Sequence, residues 1–302
     1  MANAIRGFLT SEEKEVIRSP ETIAEAYEYY LKARQLFHKI LLQDAIVMFS
    51  KAIEIDSEYA LAFAGLADTY SWLYEWEGSR EADLMQAEQN NLKALSLAPN
   101  LAEGRASRGF VLSLAKKYDE AEKEFNEAIR LNTNCFDAYY LYGRSSFSKG
   151  DTKKSAEMFQ KAADVHKEDF QSLLLLSQSL QMLGKDNAME KAHEGIARAR
   201  KQLRINPDDI RALSLGSVSL SELDEEVEAY QWVEHALQIN PEDSGVLFNG
   251  TCLFAKSGNK ERGLDLLEKA FKRGSGNRNW IAYDPDYDSL RNEPRFKALL
   301  EK

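Results

Sequence analysis

Residues 102–135, AEGRASRGFVLSLAKKYDEAEKEFNEAIRLNTNC, read as two amphipathic helices joined by a short polar turn at Lys116-Lys117-Tyr118-Asp119. Three small residues, Gly109, Ala121 and Ala128, stand where the two helices could approach closely. A hairpin of this length cannot cover its own apolar faces, so it requires copies of itself on either side.

The copies are present. With the unit numbered from 1 to 34, position 8 is Ala33, Ala67, Gly109, Gly143, Ser177, Ser217 and Thr251 in successive copies. Position 20 is Ala45, Ala87, Ala121, Ser155, Gly195, Ala229 and Gly263, and position 27 is Ala52, Ala94, Ala128, Ala162, Gln202, Ala236 and Ala270. Ala, Gly, Ser and Thr make up roughly a quarter of ordinary sequence, so a run of small residues broken only by Gln202 is periodic and not compositional. Position 24 takes a bulky filler (Phe49, Phe125, Phe159, Val233, Leu267), and position 32 a helix stop in Pro99, Pro207 and Pro241.

This pattern resembles the tetratricopeptide repeat, a helix-turn-helix of about 34 residues with small side chains at these same three positions. The segments AFAGLADTY (62–70), EAEKEFNEAIRLN (120–132) and EAYQWVEHALQINP (228–241) carry the match. The resemblance implies an all-α, right-handed α-solenoid that binds segments of other proteins as a non-enzymatic adaptor and needs no cofactor. Seven repeats are expected at 26–59, 60–101, 102–135, 136–169, 170–209, 210–243 and 244–277, after a lead-in helix in 1–25 and before capping helices in 278–302.

Two copies depart from the frame. Repeat two carries about eight extra residues between Tyr70 and Ala87, a little over two helical turns, which predicts about one added turn on each helix. Its tip, with Trp72, Tyr74 and Trp76, should then stand beyond its neighbours as a possible edge contact. Repeat five carries about six extra residues, expected in its second helix because Gly184 already occupies the turn.

Thr10 and Glu13 have capping-box spacing, predicting a short helix over 11–18 before the restart at Ser19-Pro20. The stretch FLTSEEKEVIRSPETIAEAYEYYLKAR (8–34) and the DPD…LR…PRF ending look like the arrays of bacterial cyclase-type and kinase-type signalling proteins. That resemblance implies either the regulatory half of a larger polypeptide, with a catalytic domain upstream of Met1, or a free-standing relative. Self-assembly through the terminal repeats is a third reading.

Composition narrows the partners. A net charge of −10 with no basic block argues against nucleic acid and anionic membranes, and favours a neutral or basic protein partner. Cys135 and Cys252 lie far apart in the frame and read as reduced thiols of a cytoplasmic protein. No secretory signal and no membrane span is expected.

No residues assemble into a catalytic or metal constellation by spacing. The histidines His38, His166, His193 and His235 fall in different repeats, and neither cysteine has a Cys or His at ligand distance in sequence. Asp284-Pro-Asp286-Tyr-Asp288 imitates half of a calcium loop, but Ser289 stands where glycine is needed and Arg295 where a bidentate glutamate belongs. Gly274-Ser-Gly276 lacks the Lys-Ser/Thr of a phosphate loop and reads as a turn.

Function is therefore expected on the concave face. In the family it resembles, that face is lined by the first helix of each repeat at positions 2, 5, 6, 9, 12 and 13. The partner-binding candidates there are Tyr30, Arg34, Asp68, Trp72, Phe110, Tyr140, Arg144, Phe147, Gln178 and Asn249, with Ala64, Leu114, Leu174, Met182 and Phe248 beside them. The set is aromatic and apolar. Position 5 is Tyr30, Ala64, Ala106, Tyr140, Leu174, Ser214 and Phe248, never Lys or Arg, which disfavours the carboxylate clamp of chaperone-binding relatives.

Overall fold

The computed structural model describes residues 23–275, 281 and 284–301. The helix expected over 11–18 lies outside them, as do parts of the final turn and cap.

Seven antiparallel helix pairs follow one another: α1 (Ala24–His38) with α2 (Leu42–Ile55), α3 (Ala60–Trp76) with α4 (Glu81–Leu97), α5 (Ala102–Leu114) with α6 (Tyr118–Leu131), and α7 (Phe136–Lys149) with α8 (Thr152–Val165). They continue as α9 (Gln171–Met182) with α10 (Ala188–Ile205), α11 (Ile210–Glu222) with α12 (Glu226–Ile239), and α13 (Ser244–Lys256) with α14 (Lys260–Lys272). A 3-10 helix (Pro285–Leu290) and α15 (Pro294–Leu300) close the chain, and no strand occurs among the described residues. The fold is an all-α solenoid. No described helix is long and apolar enough to cross a membrane.

Each hairpin is closed in the same way. Repeat position 15 is left-handed in every undisturbed copy: Ile40, Lys116, Gly150, Gly184, Asp224 and Gly258 all have φ between 59° and 85°. One left-handed residue reverses the chain after the first helix and lets the next amide reach back, as Lys117 N–H does to the Leu112 carbonyl at 2.9 Å. Two of the second helices start on side-chain caps, Asp151 and Asn259 each accepting a backbone N–H.

Within a hairpin the small residue at position 8 takes the ring at position 24. A Cβ on Gly109 would come within 2.6 Å of Phe125, and one on Gly143 within 2.8 Å of Phe159. Both rings are fully buried, so backbone proximity and ring size are fitted to one another.

Repeat five corrects the frame. Gln202 sits half-exposed and donates to Asp209 at 2.8 Å, while the fully buried residues of α10 include Ala192, Ile196 and Ala199. These three carry the spacing of positions 20, 24 and 27 elsewhere, so the small contact residue is Ala199, one turn before Gln202. The extra residues are divided between the two ends of α10, because burial follows helical phase and not residue count.

The insertion in repeat two has a larger consequence. Its helices, 17 residues each against 13 to 14 in repeats three and four, reach across the superhelix to repeat seven. The Trp76 ring lies 5.8 Å from Phe248, and Gly78 approaches Gly274 so closely that a Cβ on Gly274 would sit 3.1 Å from the Gly78 Cα. Both glycines have positive φ, which lets the two turns meet backbone to backbone. The 3-10 helix packs on α13 and α15 on α14, and their Tyr287 and Phe296 rings stack at 6.1 Å.

Candidate functional site

Curling of the array brings the first helices around a central cavity of about 150 Å³. Its wall collects Trp72 and Trp76 from α3, Tyr140 and Arg144 from α7, Gln178 from α9, and Asn249 from α13, six of the candidates. Arg211 of α11 and Phe248 of α13 join them.

The aromatic end of this cavity is also its cationic end. The guanidinium carbons of Arg144 and Arg211 each lie 4.6 Å from the centroid of Trp72, a cation–π distance in a dry setting. Arg144 is 5 % exposed and bonds to the buried Glu75 carboxylate at 2.8 Å. Arg211 Nη1 donates to Gln171 Oε1 at 3.2 Å, and the same oxygen accepts from the Tyr140 hydroxyl at 3.3 Å.

The opposite end is acidic. Lys256 Nζ bridges Glu222 at 2.7 Å and Asp286 at 2.8 Å, and the attraction of both acids holds its ammonium above the usual range against the opposing cost of burial. Here the fold assembles what spacing did not reveal: the ligand atoms of Cys252, Asp284 and Asp286, all buried, fall within 4.8 Å of one another. Lys256 offsets part of the negative charge of that corner. Burial first, and then the neighbouring Asp284 and Asp286, push the Cys252 thiol well above its ordinary value, so the sulfur stays protonated.

A second, smaller cleft opens between repeats one to four. It is lined by Tyr30, Arg34, Asp68, Glu103, Phe136 and Asp137, so three more candidates meet here. Arg34 lies 3.8 Å from Asp137. Asp68 is 8 % exposed and its Oδ1 has no hydrogen-bond partner. Burial, reinforced by the charge of Asp137, raises its carboxyl to about 7.

Three candidates lie outside both spaces. Phe110 and Phe147 are sealed in the main core, and Tyr74 is half-buried in the last turns of α3. The sequence frame had a signal for Arg211, which occupies the inward position 2 of repeat six. It had none for Glu75, because the insertion shifts that residue beyond the repeat positions, nor for Asp243, which lies at a repeat junction.

Comparison with known proteins agrees with this architecture. The family described as "Tetratricopeptide repeat" matches residues 136–168. The TPR repeat-containing protein MJ1428 of Methanocaldococcus jannaschii is 27% identical over 165 residues, covering 52% of this chain and 28% of that protein. The chain thus spans little more than a quarter of that relative's length. Among solved structures, a chain of the APC/C hetero-tetramer Cut9-Hcn1 superposes with a TM-score of 0.64 at 14% identity, over 96% of this chain and 58% of the other. TTC0263, a thermophilic TPR protein of Thermus thermophilus, gives 0.50 at 16% identity, over 65% of this chain and 98% of the other.

Proposed function

Because the chain is a tetratricopeptide repeat protein, we propose that it is a protein-interaction scaffold whose partner lays a peptide segment along the inner face of repeats one to four and inserts a basic side chain beside Asp68. The observation that carries this reading is the Asp68 carboxylate, buried in a cleft with Oδ1 unpartnered.

A buried carboxylate with one oxygen unpartnered and only the Ser107 hydroxyl beside it is under-solvated, and an ammonium or guanidinium brought to it restores part of the lost interaction. Glu103 adds negative charge on the same walls, where Asp137 is drawn to Arg34, while Tyr30 and Phe136 line the cleft for the aliphatic stem of Lys or Arg. The groove is already built, so little ordering opposes binding on this side. The overall charge of −10 acts in the same direction at longer range.

The test is capture from the native cell by the immobilised chain, with chemical crosslinking to identify the seated segment. Asp68→Asn/Asp137→Asn and Tyr140→Ala serve as paired controls. The reading expects Lys- or Arg-bearing segments crosslinked near repeats one to four and lost with the double variant while its helical content is unchanged. Segments without basic residues, or capture indifferent to the double variant, count against it.

A further inference from the structure

We infer that the central cavity is a binding site for a free α-amino acid with an apolar side chain, its carboxylate held by Arg211 and its ammonium group by Asp243. This site is separate from the Asp68 cleft, and nothing in the inference depends on the partner proposed there.

An inventory of charge around the cavity leads to this ligand. Arg144 is matched by Glu75, and Glu222 and Asp286 share Lys256. Glu77 is exposed at the rim. The Asp284 side chain accepts the Asp286 amide at 2.9 Å. Two opposite charges on the wall are left incomplete. Arg211 has no carboxylate within 4.0 Å among the described residues, and its Nη2 is buried without a hydrogen-bond partner. Asp243 uses Oδ1 to cap α13, accepting from Val246 N–H at 2.8 Å, and has no cation within 4.0 Å among the described residues.

The two groups nevertheless sense one another. Burial pushes the Asp243 carboxyl upward while Arg211 pulls it back, and burial also lowers the Arg211 guanidinium. Opposite charges on one cavity wall that lie beyond ion-pair distance of each other can be completed by a guest carrying both signs on neighbouring atoms. A simple anion would answer Arg211 but crowd Asp243, and a simple cation would do the reverse. A zwitterion satisfies both and adds no net charge to the site.

The remaining wall selects the side chain. Leu174, Leu215, Val218, Trp76 and Phe248 line the space next to these charges. A cavity of about 150 Å³ is comparable to one that takes up a benzene ring, and suits a compact apolar body. The guest is therefore a single residue-sized molecule with an aliphatic or aromatic body. It would touch repeats two, five, six and seven together, so binding favours the closed superhelix.

Calorimetric titration of the full chain with L-leucine, L-methionine and L-phenylalanine tests this, beside 3-phenylpropionate and phenethylamine, which keep the ring and drop one charge each. At least one amino acid should bind at one site per chain and raise the melting temperature, with each single-charge analogue weaker by roughly tenfold or more. Arg211→Gln and Asp243→Asn should each weaken the amino acid by a similar factor; asparagine keeps an oxygen for the α13 cap. If Arg211→Gln does not fold, the analogue series decides alone. The inference is overturned if none of the three amino acids binds up to about 10 mM, a limit weaker than any useful affinity. It is equally overturned if 3-phenylpropionate or phenethylamine binds as well as L-phenylalanine, or if a folded Arg211→Gln chain retains full affinity.

Discussion

The indole of Trp76 packs on the ring of Phe248 at a centroid distance of 5.8 Å and an interplanar angle of 52°, joining the second repeat to the seventh. In an open solenoid each repeat meets only its neighbours, and stability is close to a sum of adjacent interfaces. This contact skips four repeats, so the array is expected to unfold as one unit. Trp76→Ala and Phe248→Ala should each expand the molecule in small-angle scattering. A double-mutant cycle should show coupling of about 0.5–1.5 kcal/mol. Strictly additive losses with an unchanged radius of gyration would mean that the two rings do not hold the ends together.

Arg144 and Glu75 form an ion pair between repeats four and two, with side-chain exposures of 6% and 2%. Removing one member strands a charge in a dry site. Glu75→Ala should therefore cost about 3–5 kcal/mol in urea unfolding, whereas the apolar replacement of both, Glu75→Leu with Arg144→Met, should recover most of that loss. A Glu75→Ala cost below about 1 kcal/mol would place the pair in the surface class, where exposed ion pairs contribute little.

The repeat architecture was legible because position 8, 20 and 27 residues such as Gly109, Ala121 and Ala128 repeat a local rule many times, and one misfit such as Gln202 does not obscure it. The elongation of α3 and α4 was also readable from the count of inserted residues. What the lengthened tip touches was not. Trp76 meets Phe248 because the superhelix curves through five further repeats, and curvature accumulates from small rotations that no local motif encodes. The same accumulation brings Arg211 to Trp72. Position-based reading also cannot separate wall from filling: Phe110 and Phe147 share the inward register of Trp72 and Tyr140 but are covered by neighbouring helices.

Asp68 gives the protein a pH dependence of definite sign. Its carboxyl is raised from the ordinary value of 3.8 to about 7 in the fold, chiefly by burial. The folded state therefore binds a proton that the unfolded state has already lost between these values, and stability falls as pH rises from about 4 through about 7. The size of the effect is a few kcal/mol at most, on the order of 1.4 kcal/mol for each pK unit. Asp68→Asn should remove it, leaving the variant more stable than the parent in urea at pH 8 and nearly equal at pH 4. A basic guest needs the ionised form, so partner capture should strengthen over the same interval in which stability declines. If Asp68→Asn is no more stable than the parent at pH 8, the burial cost assigned to this carboxylate is wrong.

Two substitutions in repeat three should move stability in opposite directions although both exchange glycine with another residue. At Gly109 a helix interior would ordinarily gain about 0.5–1 kcal/mol from alanine. Here the added methyl would lie 2.6 Å from Phe125, a ring with no exposed surface. The ring cannot retreat without moving α6, so Gly109→Ala should lose about 1–3 kcal/mol net, as overpacked cores do. Lys116 is exposed and has φ of 61°, a conformation costing a non-glycine residue roughly 1–2 kcal/mol. Lys116→Gly relieves that strain at an unfolded-state cost of about 0.5–1 kcal/mol, leaving a gain of a few tenths to about 1 kcal/mol. Urea denaturation of both variants at constant m-value measures the contrast. A stabilising Gly109→Ala would show that the contact of position 8 with position 24 has slack, and with it the close fit that the whole repeat frame relies on.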